Sequence, residues 1–158
     1  MSSIDLGSFE LVPKGRRYED FHVGQSFEHH WGRTIGEADN VLFTTATLAY
    51  NPLYLNADVA RAAGHPGVVV NPMLVFTIVF GLSVEDLSEG AGPFLGVEAL
   101  TFHRPVYVGD TLDARSEVVD MRESASRPGV GIVTWHTDGL RGDEVVIDYR
   151  RSNLVPKR

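Results

Sequence analysis

The stretch from Val68 to Val84, VVVNPMLVFTIVFGLSV, is too apolar to lie anywhere but at the centre of a fold. Met73, Leu74, Val75, Phe76, Ile78, Val79, Phe80 and Leu82 leave no polar face, so a helix here is expected to be buried all round. Asn71 suits the N-cap, because its side chain can accept an orphan backbone N–H, and Pro72 suits the first helical position. The β-branched run Val68 to Val70 reads equally as strand, but the cap signals start the helix after it. A membrane span needs roughly 20 apolar residues. This run is shorter and is interrupted by Asn71, Thr77, Gly81 and Ser83. The reading is a core helix wrapped by a sheet.

A chain of 158 residues is expected to form one domain with one substantial core. Its net charge of −7 argues against a general binder of nucleic acid or anionic membrane, since phosphate surfaces demand a basic face. The absence of cysteine removes disulfides and thiolate chemistry. The first residues lack the basic-then-apolar pattern of a signal peptide, so a cytoplasmic location is expected.

Residues 1–18 mix Ser, Gly, Pro and charges without period and are expected to form an irregular arm before a single domain at 19–158. Gln25 to Ile35 reads as a strand with Gly32 as a bulge. Thr34 and Glu37 have capping-box spacing ahead of a helix over about 36–48. Asn56 can cap a short helix that Gly64 ends. After the central helix, Val97, Ala99, Thr101 and His103 would share one face of a strand that Pro105 ends, and Leu112 to Val118 alternates apolar with charged. Ile132 to Thr137 is a third strand, with turns expected at Asp138-Gly139 and Gly142-Asp143 before a last strand from Val145. Consecutive strands joined by short turns favour an antiparallel sheet, and the class is therefore α+β. The sheet's edges need cover, and a second copy is one way to supply it.

Taken together these elements resemble the hot-dog fold, and specifically the MaoC-like hydratase/dehydratase family. The resemblance is carried by Tyr18-Glu19-Asp20-Phe21 with Val23-Gly24, by Thr34 to Phe43 (TIGEADNVLF), by Asn51-Pro52-Leu53 with Ala60, and by Phe102 to Val106 with Gly109-Asp110. Ser126 to Gly129 also looks like a branch containing hydratases of small dicarboxylic acyl-CoA thioesters. The resemblance implies an antiparallel sheet around a buried helix, an acyl thioester substrate on coenzyme A or phosphopantetheine, no tightly bound cofactor, and a homodimer.

Family hydratases carry an Asp and a His flanking the Asn-Pro-Leu triplet, and the pair activates water and manages the proton. Matching that motif puts Ala49 at the Asp position, Tyr54 at the His position, and Leu48 where the motif has Gly. Alanine accepts no proton, and a phenol with an ordinary pKa near ~10 is a poor base at neutral pH. The family also uses a Gly N–H at the start of the central helix to hold the thioester carbonyl. Pro72 stands there, and proline has no N–H. The resemblance then leaves Tyr54 as proton donor and Asn51 as an orienting amide. Tyr50 would line the pocket, and Asn71 and the Met73 N–H would contact the thioester. Three readings follow: a hydratase-type lyase with altered residues, a biosynthetic lyase or cyclase in the same pocket, or a non-catalytic subunit paired with an intact homologue.

Other candidates read more plainly. His22, His29 and His30 suit a solvated or partner-facing role, and His65 suits the negative end of a helix dipole. His103 reads as a hydrogen-bonded structural histidine facing the core, and His136 as a strand-face residue. No His, Asp and Glu set has metal-ligand spacing. Arg104, Arg122, Arg127 and Arg151 are the scattered cations that could meet coenzyme A phosphates.

Overall fold

The computed structural model describes residues 14–158, so most of the expected arm lies outside the described residues. Strands β1 (Ser26–Glu28) and β2 (Arg33–Thr34) are followed by helices α1 (Glu37–Ala46), α2 (Ala57–Ala62), α3 (Pro72–Leu82) and α4 (Val84–Leu87). Strands β3 (Phe94–Phe102), β4 (Thr111–Glu123), β5 (Val130–Arg141) and β6 (Glu144–Pro156) close the chain. The sheet runs β1-β4-β5-β6-β3, with β2 pairing β4, and every pairing is antiparallel. It wraps around α3, which is the hot-dog arrangement. No helix among the described residues is long and apolar enough to cross a membrane.

Helix α3 begins where its sequence says it should. The Asn71 side chain accepts from the Met73 N–H at 3.0 Å, and Pro72 takes the first helical position. Leu74, Val75, Ile78 and Val79 are buried against Val106, Leu112, Ala114, Ile147 and Tyr149. The helix is not buried all round, however. Met73, Thr77 and Gly81, spaced four apart, form a stripe that this single chain leaves exposed.

The close seat of α3 on the sheet depends on a residue expected in a turn. Gly139 lies inside β5, whose inward positions run Trp135, Thr137, Gly139, and only Gly142-Asp143 makes the turn. A Cβ on Gly139 would stand 2.6 Å from Val79 Cγ2 and 2.5 Å from Ile147 Cγ2. The missing side chain is the space the helix occupies.

Other local expectations shift for physical reasons. The first strand breaks into β1 and β2, and Gly32, in the gap between them, passes so close to Asp113 that a Cβ there would meet its carboxylate at 2.4 Å. Helix α1 is capped two residues later than Thr34 and Glu37 suggest: Asp39 accepts from the Gly36 N–H at 3.0 Å, while Thr34 pairs with Thr111. Strand β3 bulges between Glu98 and Thr101, with Ala99 at φ 52, so its residues do not keep a single alternation.

The sheet's inner face also carries polar groups. His29 is buried, contrary to the solvated role expected for it. Its Nδ1 meets Asp86 at 2.7 Å and its Nε2 meets Ser116 at 2.9 Å, with Thr137 bonded to Ser116 at 2.8 Å. Arg151 is fully buried rather than a surface cation. Its guanidinium lies 4.4 Å from the Phe80 ring centre and within 3.4 Å of the Ser83 carbonyl at the end of α3, and burial lowers its pKa to about 10. The negative end of the helix dipole and the ring face are the groups that offset the buried charge.

Two outcomes test this packing. Gly139→Ala should cost about 1–3 kcal/mol in denaturant melts, the range for overpacking a filled core, whereas Gly142 opposes no atom within 4 Å and lies at the turn. Burial holds His29 below the ordinary histidine pKa, against the opposing pull of Asp86. The unfolded chain therefore takes up a proton near pH ~6.5 that the folded chain resists, and stability falls as pH drops through that range. Melting temperature should decline between about pH 7 and pH 5 more steeply in the wild type than in His29→Gln.

Candidate functional site

The loop after α1 carries the Asn-Pro-Leu triplet on a tight turn. Leu48 sits at φ 56, a left-handed backbone that suits glycine and strains a leucine. Asn51 starts a 3-10 turn over Pro52–Tyr54 by accepting the Leu53 N–H at 3.0 Å. Ala49 and Tyr54 flank this turn, and neither side chain is a strong base near neutral pH.

One side chain holds this region together. Asn40, fully buried on α1, donates through Nδ2 to the Tyr54 carbonyl at 2.9 Å and the Val69 carbonyl at 3.2 Å. Its Oδ1 accepts from the Asn71 N–H at 2.8 Å. The motif loop, the segment entering α3 and the α3 N-cap are thus tied to a single amide. The Asn71 side chain is spent similarly, its Nδ2 donating to Thr44 at 3.3 Å.

A cleft of about 320 Å³ opens at the N-terminal end of α3. Tyr54, His65, Val70, Pro72, Phe102 and Val106 are among its lining residues. Its surface is mainly apolar, as small-molecule sites are. A larger groove of about 590 Å³ lies among Glu98, Asp120, Arg122 and Arg150 and includes none of the motif residues.

Of the residues expected in the site, only Tyr54 lines this cleft. Tyr50 is 64% exposed outside it, and Asn51 is exposed with its carbonyl oxygen engaged in the turn. Asn71 is 3% exposed and its polar groups belong to the cap and to Asn40 and Thr44. The Met73 N–H is taken by that cap, and the Leu74 and Val75 N–H groups both reach the Asn71 carbonyl. With Pro72 lacking an N–H, the first turn of α3 offers a thioester carbonyl no free backbone donor. His103 contributes to the cleft wall, but its ring does not face the core. Thr101 pairs with Asp148 and Phe102 with the buried Ile147, so Asp148 and the His103 imidazole bonded to it lie on the outer sheet face.

His65, read from the sequence as a helix-end residue, lines the cleft. It follows Gly64, whose φ of 90 ends α2, and its place as a helix-end residue gave no sign of the cleft. Its Nδ1 lies 3.1 Å from the Tyr107 hydroxyl. Among the described residues no group of three His, Asp or Glu side chains could hold a metal ion.

The hub role of Asn40 predicts a measurable asymmetry. Asn40→Asp keeps the acceptor for the Asn71 N–H but loses both donors. It leaves the two carbonyls unpaired and should cost roughly 1–3 kcal/mol in melts. Asn40→Ala loses all three bonds and should cost more. Equal, negligible losses would show the region held by something else.

The family model for mesaconyl-CoA hydratase matches residues 4–158. A mesaconyl-CoA hydratase from Haloarcula marismortui is 40% identical over 147 residues, covering 92% of this chain and 41% of that protein. Among solved structures, a putative MaoC domain dehydratase from Chloroflexus aurantiacus superposes with a TM-score of 0.86 at 36% identity, covering 91% of this chain and 41% of the other. A Mycobacterium tuberculosis protein described as a double hot-dog fold gives 0.80 at 29% identity, with 91% and 45% covered. The chain thus spans less than half the length of these relatives. With the antiparallel sheet around α3 and the Asn-Pro-Leu turn beside its N-terminus, this chain belongs to the mesaconyl-CoA hydratase family, a MaoC-like group built on the hot-dog fold.

Proposed function

We propose that the chain provides a hydro-lyase site for an unsaturated acyl thioester, with a small branched dicarboxylic acyl-CoA as the substrate class. The observation that carries this reading is the cleft at the N-terminus of α3, which presents Tyr54 from the position where the family places a catalytic residue. Its volume, about 320 Å³, suits a short acyl group and its thioester. Coenzyme A or phosphopantetheine enters only as part of the substrate. A phenol can donate a proton or a hydrogen bond without first ionising, so Tyr54 serves as donor to the substrate. Since α3 has no free N–H to offer, the carbonyl must take its hydrogen bond from side chains such as this one.

A second reading has specific support. Ala49 and Pro72 remove two parts of the usual machinery, and the chain spans 41% of the Haloarcula marismortui relative. The other part of a working site would then come from a second hot-dog unit, such as another copy or an intact homologue. The edge strand β3 carries exposed Phe94, Leu95 and Phe102 and, among the described residues, has β6 alone as a ladder partner, which suits pairing with such a unit. The dilute protein should then scatter light as about twice the chain mass, and a monomer at every concentration would contradict the pairing.

The two readings separate in one assay, following loss of the conjugated thioester absorbance with mesaconyl-CoA and with a straight-chain enoyl-CoA. The altered-enzyme reading predicts turnover of the branched dicarboxylic substrate, little or none of the straight-chain one, and a fall of roughly 10²–10⁴-fold in Tyr54→Phe. The subunit reading predicts no turnover by the chain alone and only a modest change in affinity. Turnover insensitive to Tyr54→Phe would contradict the role given to Tyr54.

A further inference from the structure

Hydration across an α,β-unsaturated thioester needs a group that takes a proton from water, and the motif positions supply none. Ala49 has no acceptor, and Tyr54 is suited to donating. The cleft itself contains further titratable side chains: His65, His103 and Arg104. Arg104 is paired with Glu144 at 3.2 Å, and a guanidinium is no base near neutral pH. The His103 ring lies on the outer face against Asp148. His65 alone remains, half-buried and lining the same cleft as Tyr54 and Pro72.

The setting of His65 is that of an oriented base. Its backbone N–H bonds the Ala60 carbonyl at 3.0 Å, and its Nδ1 meets the Tyr107 hydroxyl at 3.1 Å. Tyr107 is fixed in turn. Its backbone pairs with Val69, and its N–H donates to Asp110, which Arg141 holds at 2.9 Å. Among the described residues no protein group bonds Nε2 of His65, so one ring nitrogen is held while the other is left for a ligand or water. In the tautomer whose Nδ1–H donates to the tyrosine oxygen, Nε2 carries the free lone pair that a base needs.

We propose that His65, oriented by Tyr107, is the acid–base group that replaces the missing Asp/His pair. This assignment rests on the thioester hydro-lyase reading. In the hydration direction, Nε2 of His65 accepts a proton as the water oxygen bonds the β-carbon. The π-electrons shift onto the α-carbon and thioester carbonyl, and Tyr54 gives its hydroxyl proton to the α-carbon. The imidazolium then returns its proton to the tyrosinate, so one water is added and both side chains are restored. Dehydration runs the same steps backwards. Tyr107 is a positioning residue and touches no reacting atom.

The test uses the full chain with mesaconyl-CoA for turnover and a saturated acyl-CoA for binding. His65→Gln and His65→Ala should each lose roughly 10²–10⁴-fold in kcat, with KM and saturated-thioester affinity within about threefold of wild type. Added imidazole should restore part of the turnover of His65→Ala, a result that a purely structural histidine would not give. Tyr107→Phe should lower kcat by less and change the ¹⁵N tautomer signature of the His65 ring. Melts of each variant show whether the fold is kept. Folded His65 variants with wild-type kcat would overturn the assignment and leave the hydro-lyase reading standing. A wild type that binds the thioester without hydrating it removes the base assignment and the catalytic reading while thioester binding survives. A wild type that binds none removes all of them.

Discussion

The Asn40 amide is the interaction on which the geometry of the site depends. A primary amide offers two donors and an acceptor, and here it bonds three separate stretches of chain: Tyr54, Val69 and Asn71. Each partner is a backbone group that would otherwise be buried without a bond or left to water. In a low-dielectric interior such a network holds its members in one arrangement, because losing one bond exposes the desolvation cost of the others. The wall and the floor of the cleft therefore move together or not at all. Under the proposed reading, Ala49, Tyr54 and Pro72 change the chemistry at the motif positions and leave this frame intact.

A comparable economy governs the seat of the central helix. Gly139 lets Val79 reach the backbone of β5, and the larger inward residues of that strand, Trp135 and Val133, lie in a second apolar cluster with Leu87 and Val155. Between the clusters runs a polar layer of His29, Ser116, Thr137 and Arg151. Part of the Arg151 guanidinium has no hydrogen-bond partner among the described residues, and burial drives the Tyr149 phenol pKa up to about 12. The apolar packing of α3 has to outweigh that cost. The Met73, Leu74 and Val75 N–H groups of its first turn are all bonded to Asn71.

What the sequence made legible followed from short-range chemistry. Asn71-Pro72 marks a helix start by capping and by a fixed φ, and both act within a few residues, so α3 begins where expected. The β4 alternation from Leu112 to Val118 is a period-two pattern that one buried face imposes directly. Gly139 misled because Asp-Gly signals a turn locally, whereas the demand for glycine came from a helix some 60 residues away in the chain. His29 and Arg151 misled for the same reason, since their partners Asp86, Ser116, Phe80 and Ser83 are brought near only by folding. The motif located Tyr54 because a turn sequence fixes its neighbours. It could not reveal His65, whose place in the cleft is set by α2, by Tyr107 and by the Val69–Tyr107 bridge together.

The claim that the cleft beside the α3 N-terminus is where a thioester is held is tested most directly by a crystal structure of the chain with a saturated, non-hydratable acyl-CoA bound. The account predicts the acyl carbonyl and its α- and β-carbons between Tyr54 and His65. The carbonyl should be hydrogen-bonded by a side chain and not by the Met73 N–H, which stays on Asn71. A thioester seated instead along the exposed stripe of Met73, Thr77 and Gly81, or held by backbone N–H groups of a reorganised α3 start, would contradict it.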